Sequence, residues 1–417
     1  MTFSGFVPWP TIATTPRAPF SATVARIIFE RAVRQVPVRV TYPDGRVTGG
    51  GTHESPVFEL VRPAAFFARL GRDTKVGFGE AHMAGDWRAG PGTDLADLLT
   101  PFAARLTTLV PAPLQRLRAV VDKRMPRHHE NTPEGSRANI AAHYDLSDAL
   151  FASFLDPTMS YSAAWFDEAE PVETSTRLEE AQLRKIDAIL DLADVRNGTR
   201  MLEIGTGWGA LAIRAAQRGA QVTTVTLSRH QVEFSRERAA AAGVGDQVDI
   251  RLQDYREVDG VYDAIVSVEM IEAVGEAYWP AYFATLDRLL APGGKVGLQT
   301  ITMAHERVLA TRRSFSWIQK YIFPGGIIPS LQSIQNTLGI HTTLHVTQQR
   351  ELGRHYARTL HLWRERFMDQ WPHIHAQGFD ETFPRMWEFY LAYCEAGFRS
   401  GYLGVSQLRL TRAQPWS

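Results

Sequence analysis

Residues 199–212 read TRMLEIGTGWGALA. An apolar run with strand character breaks into glycines at 205, 207 and 209, and an alanine-rich helical pattern follows. A strand, a glycine turn and a helix in this order bring bare backbone to the carboxyl edge of a parallel sheet, where a ligand can approach closely. A dinucleotide site calls for G-x-G-x-x-G. Here the spacing is G-x-G-x-G, with Glu203 two residues before the first glycine. An acid sits badly beside a pyrophosphate and suits a ligand with positive charge, such as a sulfonium bearing an amino-acid tail. A plain tight turn is the bland alternative, and the neighbouring strands have to decide.

They follow in regular alternation with helical patterns. Candidate strands are 199–205, 220–227, 247–254, 261–270, 295–302, 339–346 and 406–412. Helical patterns between them include SRHQVEFSRERAAAAG and PAYFATLDRLLAPGG, the latter stopped by Pro-Gly-Gly. Such alternation predicts a doubly wound α/β sheet of seven strands. The second strand ends TTVTLSRHQ, where Thr226 and Gln231 can bond ribose hydroxyls; Gln231 reads equally as an exposed residue of a first helical turn. The third ends LQDYRE, where Asp254 can accept from an adenine amino group and Tyr255 offers a ring face; a strand-end Asp is also a common helix cap.

Composition narrows the function classes. Lys plus Arg equals Asp plus Glu at 45 each, so no global field argues for nucleic acid, and none is expected as a partner. Cys394 is the single cysteine, which excludes an internal disulfide and fits a reducing compartment. The start, MTFSGFVPWPTIATTP, lacks the basic and apolar regions of a signal peptide, and no apolar run nears the ~20 residues of a membrane span. A cytoplasmic location is expected, with any membrane contact peripheral, on its inner face. The histidines fall in separate elements without metal-ligand spacing, so no metal is expected.

Ahead of the glycine turn, PVRVTYPDGRVTG alternates around Asp44-Gly45, a hairpin signal, and VFELVRP reads as a further strand. Helical patterns cover 63–70 and 94–122, and QRLRAVVDKRMPRHH gathers five Lys/Arg and two His within fifteen residues. That stretch is either a solvated helix face or a surface for anionic headgroups, where each cation near the membrane contributes about 1 kcal/mol. The expected division is 1–124 as a smaller α+β domain, 125–138 as a Pro- and Gly-rich linker and 139–417 as the α/β domain.

Several segments together carry a family resemblance: HYDLSDALFASFLDPTMSYSAAWF (143–166), LEIGTGWGALA, VTLSRHQ, LQDYRE, VSVEMIEAVG, KYIFPGGIIPS and WEFYLAYCEAGFR. In order and spacing, over roughly 140–412, they resemble the cyclopropane-fatty-acid synthase and mycolic-acid cyclopropane synthase family. Those enzymes are S-adenosylmethionine-dependent methyltransferases that act on lipid double bonds. The resemblance implies a Rossmann-like class I methyltransferase domain behind an N-terminal lipid-binding domain, an acyl chain in a membrane phospholipid as substrate, and a homodimer. It also assigns cofactor roles by position. Tyr161 and Ser162 cap the methionine portion, Gly205 and Gly207 line it, and Glu203 orients the loop or the amino group. Thr226, Leu227 and Gln231 hold the ribose, while Gln253, Asp254 and Tyr255 flank the adenine. Tyr144 lies close to the donor methyl.

Methyl transfer to an isolated alkene leaves a carbocation, so the site must stay dry, tolerate the cation and remove one proton. Aromatic faces stabilise a buried cation by roughly 2 kcal/mol. Trp165, Trp317, Tyr321 and Phe323, with Tyr144, Tyr161 and Tyr356, are the candidates, each equally readable as core or acyl-tunnel wall. The family holds a bicarbonate ion as base. Mapped onto this chain, the ion's shell keeps Glu272, Ile301 and Tyr356, but its Cys position is Ala163 and its His position is Gln299. The bicarbonate site is therefore in doubt. Against those losses stands Glu269, where the family usually has glycine; a protein carboxylate there can replace the ion, or it binds the cofactor or faces solvent at the strand end. A changed base suggests a changed product. The pattern VEMIEAVG with YSAAW resembles the actinobacterial branch that makes 10-methylene-branched acyl chains, favoured here over a cyclopropane, and a separate reductase would then saturate the methylene.

Overall fold

The computed structural model describes residues 10–106, 126, 132, 135, 148–167, 177–312 and 314–412. Tyr144 lies outside the described residues, as do the basic stretch 115–129 and the linker 125–138 apart from residues 126, 132 and 135. By packing, the chain forms two compact units. One comprises Met1–Arg124, Arg313–Ile322 and Leu360–Tyr402; the other comprises Met125–Arg312, Phe323–Thr359 and Leu403–Ser417. The division expected from sequence had kept 313–322 and 360–402 with the large sheet, whereas their aromatic side chains pack within the first unit. Phe389 meets His82 at 5.3 Å and Trp317 at 4.8 Å between ring centroids. Gly79 leaves room for that indole: a Cβ there would fall 2.5 Å from Trp317.

The first unit holds a four-stranded sheet in the order β2-β1-β3-β4, from β1 (Arg39–Thr41), β2 (Val47–Thr48), β3 (Val57–Leu60) and β4 (Trp87–Ala89). The expected hairpin is β1–β2, turning through Gly45 at φ 82°. Its core stacks Phe58 on Trp87 at 4.4 Å. The helix Pro19–Val33 buries Phe29 and Val33 but leaves Phe20, Val24, Ile27 and Ile28 exposed, Phe20 by 83%. Their spacing puts all four on one helical face.

The second unit is built on seven strands in the order β10-β11-β9-β8-β5-β6-β7. They are β5 (Arg200–Ile204), β6 (Gln221–Thr226), β7 (Val248–Leu252), β8 (Tyr262–Val268), β9 (Leu290–Met303), β10 (Leu344–Glu351) and β11 (Leu403–Arg412). β5 through β9 pair in parallel, while β11 runs antiparallel between β9 and β10. Alternation along each strand feeds two apolar layers. Leu202 and Ile265 join the layer of Tyr282, Phe283 and Leu338, while Met201, Ala264 and Val266 join that of Ile189, Leu211 and Ala215. The chain winds from β5 to β6 on one side and to β8 on the other, so the crevice at the carboxyl end of β5 is the switch point where such sheets bind ligands.

One strand expectation is corrected. Residues 339–341 end the helix Leu331–His341, and the strand runs 344–351. Ser330 starts that helix with a capping box through Ser333, and Ile334 and Leu338 give it a buried face. β10 is a mostly exposed edge strand, so it lacks the apolar run that marked its neighbours.

Candidate active site

All three glycines of the turn have positive φ, 99° at Gly205, 52° at Gly207 and 86° at Gly209. A Cβ on Gly205 would lie 2.6 Å from Met270, so that glycine is packed from behind; a Cβ on Gly207 would meet nothing within 4 Å. Gly207 thus presents bare backbone to open space at the carboxyl end of β5. Trp208, only 3% exposed, donates its indole N–H to Asp148 Oδ1 at 2.8 Å and packs on Phe151, which in turn meets the Tyr161 ring edge-on at 5.2 Å. Arg238 adds a tie: its guanidinium donates to the carbonyls of Pro157, Thr158 and Trp208. Sequence reading passed over Arg238 because it sits among several arginines of a polar helix.

Glu203 is buried, and the Thr224 hydroxyl donates to its Oε2 at 2.6 Å. Burial pushes its carboxyl up to about 8, against the pull of the Lys185 charge. A cation brought against this buried acid would lower its pKa and restore the carboxylate, and an α-amino group is a cation of that kind. Ser162 accepts from Lys185 Nζ at 2.7 Å, and its carbonyl accepts from Gln182 at 2.9 Å. Burial brings the Lys185 ammonium down to about 8, opposed by Glu269, Asp156 and Glu203. Gln182 and Lys185 interrupt the buried face of the helix Leu178–Leu192, a legible signal that sequence reading did not use.

At the next two strand ends, the expected ribose and adenine residues gather. The Thr226 hydroxyl donates to Gln231 Oε1 at 2.6 Å, with Leu227 between β6 and the helix Arg229–Ala241. Asp254 caps the following turn, and Arg256 reaches both of its carboxylate oxygens, at 2.9 and 2.6 Å. Oδ1 accepts from the Arg256 N–H as well, at 3.0 Å, so this oxygen already holds two donors. Gln253 spends its amide on the Glu257 carbonyl. Tyr255 packs edge-on against Tyr282 at 5.5 Å, and burial raises its hydroxyl to about 12.

The two carboxylates stand at the end of β8. Glu269 sits at φ 52°, a left-handed conformation that costs a non-glycine residue about 1–2 kcal/mol. Its Oε1 accepts from the Ala163 N–H at 2.9 Å and from Gln299 Nε2 at 2.8 Å, and the Tyr356 hydroxyl also bonds its carboxylate. Glu272 Oε1 accepts from the Thr300 hydroxyl at 3.0 Å and the Ile301 N–H at 2.5 Å, while its Oε2 is buried with no hydrogen-bond partner among the described residues. Both carboxyls are raised by burial; Glu272 reaches about 8, with the Glu269 charge as the next cause. Ala163, Gln299 and Glu269, three of the departures from the family pattern beside Ala273, which stands where a His is usual, thus meet at one carboxylate oxygen.

The aromatic candidates divide. Arg350 lies over the Trp165 ring at 4.4 Å, an electropositive cover on that face. Trp317 and Tyr321 belong to the first unit, where the Trp317 indole contacts Met83 sulfur at 3.3 Å and the Tyr321 hydroxyl donates to Glu80 at 2.7 Å. Phe323 belongs to the second unit; its carbonyl accepts from Gly326, and the next residue, Ile327, bonds the Glu272 carbonyl at 2.8 Å.

Residues 131–408 match the family described as mycolic acid cyclopropane synthetase. The chain belongs to this family. It is 50% identical over 412 residues to the tuberculostearic acid methyltransferase of Mycobacterium tuberculosis, covering 98% of this chain and 96% of that one. It is 33% identical to the cyclopropane-fatty-acyl-phospholipid synthase of Escherichia coli, over 86% of this chain and 88% of that one. Among solved structures, a cyclopropane synthase of Mycobacterium tuberculosis superposes with a TM-score of 0.60 at 32% identity, covering 66% of this chain and 97% of the other. A mycolic acid cyclopropane synthase bound to SAH and CTAB also gives 0.60, at 31% identity, over 69% and 98%. The large sheet is the class I S-adenosylmethionine-dependent methyltransferase fold, and the open cradle at Gly207 with the buried Glu203 acid fits that cofactor's methionine end.

Gly207→Ala should therefore separate folding from binding. The methyl group enters open space, so the melting temperature should fall by only the few degrees that a left-handed alanine costs, while S-adenosylmethionine affinity should fall at least about tenfold as the cradle fills. Unchanged affinity by calorimetry would place the cofactor elsewhere.

Proposed function

We propose that this protein transfers a methyl group from S-adenosylmethionine to the double bond of an oleoyl-type chain in a membrane phospholipid, and that Glu269 takes the resulting proton to leave a 10-methylene branch. The class is that of an S-adenosylmethionine-dependent C-methyltransferase of unsaturated fatty acyl chains, in keeping with its family and with the relatives named above. The observation that carries the finer reading is the convergence of Ala163 and Gln299 on Glu269 Oε1.

The cofactor, when bound, supplies an electrophilic methyl group. The alkene π pair forms the new C–C bond, leaving a cation on the adjacent carbon. A hydride shift moves the charge to the carbon that bears the methyl. Loss of one methyl proton then lets that C–H pair form the methylene double bond to the chain carbon; loss before the shift closes a cyclopropane. The residues on hand divide the acid–base work. Glu269 has an N–H, an amide and a tyrosine hydroxyl on its carboxylate, with Lys185 nearby, and each favours its ionised form. Glu272 carries fewer such supports and a neighbouring negative charge, so it keeps its proton. One ionised and one neutral carboxyl give a base and a fixed dipole in a dry site. Glu269 occupies the role that bicarbonate fills in the family, and a separate reductase is the consumer of the methylene product.

A lipid surface as the substrate's location is supported by the helix Pro19–Val33. Its exposed Phe20, Val24, Ile27 and Ile28 share a face with Arg31 and are flanked by exposed Arg17 and Arg34. An apolar stripe edged with cations suits an interface of anionic lipid. Phe20→Glu with Ile27→Glu should weaken sedimentation with phosphatidylglycerol vesicles at least about tenfold, each change burying a charge where an apolar side chain belonged. Equal sedimentation would remove this helix from the reading. No described helix is long and apolar enough to cross a membrane. The product is settled by expressing the protein in a host with oleoyl lipids. Mass spectrometry should find one added methylene unit, and proton NMR should show vinylidene protons; upfield cyclopropane protons instead would overturn the methylene assignment.

A further inference from the structure

A polar chain runs behind Glu269 into the sheet. Gln407 on β11 and Gln299 on β9 are directly cross-strand and both fully buried. Gln407 Nε2 donates to the Lys185 backbone carbonyl at 3.3 Å and to Gln299 Oε1 at 3.0 Å. Gln299 Nε2 in turn donates to Glu269 Oε1 at 2.8 Å and to the Ala163 carbonyl at 3.4 Å. Each amide therefore uses both of its N–H groups, and every link has a defined direction.

That direction has a fixed origin. The Lys185 carbonyl belongs to the helix Leu178–Leu192 and can only accept. It holds the Gln407 amide with its NH₂ toward both partners. The Gln299 oxygen must then face Gln407, and its NH₂ must face Glu269. A glutamine free to rotate by half a turn would instead set a carbonyl oxygen against a buried carboxylate oxygen, two acceptors with no hydrogen between them.

We propose that Gln407 is a positioning residue that locks the Gln299 amide so that its NH₂ is committed to Glu269 Oε1, keeping that oxygen an acceptor and directing the incoming proton to Oε2. This rests on Glu269 as the base. Oε1 already takes two donors, from Ala163 and Gln299, so protonation there would break one of them. Gln407 touches neither acyl chain nor donor methyl in this account; it acts two hydrogen bonds away.

The test is a double-mutant cycle on the full-length protein, assayed with dioleoyl-phosphatidylglycerol vesicles across pH. Gln407→Met keeps apolar volume and removes the donor. It should lower kcat about tenfold, shift the acid limb of the kcat profile upward and leave KM for the lipid unchanged, because only the base is affected. In a Gln299→Met background no carbonyl can turn toward Glu269, so Gln407→Met should then leave the acid limb where it is. An equal shift in both backgrounds means that Gln407 does not act through Gln299 and overturns the proposal. Should Gln407→Met fail to fold, Gln407→Leu, which likewise offers no donor and cannot ionise, must give the same background-dependent shift. Side-chain amide NMR keeps the relay separable from the base assignment. The Gln299 NH₂ signals should be slow to exchange in the parent protein and fast in Gln407→Met, whatever Glu269 does in turnover; unaltered exchange refutes the lock even if Glu269→Gln is inactive.

Discussion

Glu269→Gln should lower turnover by about 10²–10⁴-fold, the range a positioned general base contributes, while S-adenosylmethionine binding measured by calorimetry stays within a factor of about two. The amide keeps the volume and an oxygen for the Ala163 and Gln299 donors, so the scaffold is preserved and only the proton acceptor is lost. The parent enzyme should show the matching pH dependence. Burial raises the Glu269 carboxyl above its ordinary value, and the acting form is the ionised one. Activity should therefore climb as pH rises through that raised value and vanish on the acid side. A Glu269→Gln variant with near-parental activity, or a rate that falls on raising the pH from 5 to 7, is incompatible with this carboxylate as the base.

Glu272→Gln should behave in the opposite way, with its largest effect on stability. Burial and the Glu269 charge raise Glu272 from 4.5 to about 8 in the folded protein. A raised folded value means that the native state binds the proton more tightly than the unfolded chain does. The associated stability is fully present below pH 4.5 and is lost as pH rises through about 8, a loss on the order of several kcal/mol. Glutamine resembles the protonated acid and cannot ionise. Glu272→Gln should thus raise the melting temperature by several degrees at about pH 9 and change it little at about pH 4.5. Turnover should survive within about tenfold, because the neutral side chain still accepts from Thr300 and the Ile301 N–H. A melting gain that is the same at both pH values would show that ionisation of Glu272 is not its origin.

The parallel part of the sheet could be read directly, since MLEI, QVTTVT and YDAIVSV are short apolar runs closed by turn residues. Glu203 and the glycines declared themselves by spacing. Glu269 stood out only against a family pattern; its left-handed backbone explains why glycine is usual there, a fact of geometry that no periodicity carries. Gln407 was invisible. In VSQLRL it has the look of a solvated strand residue, and it is 108 positions away in sequence from the glutamine it bonds. Trp317, Tyr321 and Phe323 are close in sequence, yet the chain passes from one packed unit to the other between Ile322 and Phe323, a change that no local pattern carries. The misplaced strand at 339–346 arose because GIHTTLHV is rich in β-branched residues, whereas the capped helix before it claims the first three.

The antiparallel insertion of β11 has a consequence for how the molecule is made. β9 and β10 are both synthesised well before β11, yet neither pairs with the other; β11 must enter between them. Until it emerges from the ribosome, the nascent sheet has an open edge along β9, just the kind of edge that recruits stray strands. Gln299 then also lacks its partner, so the emerging chain can display its glycine cradle before its acid–base apparatus is ordered. Ligand capture and chemical competence are acquired at different moments of biosynthesis, and the interval between them is where a chaperone would be of most use.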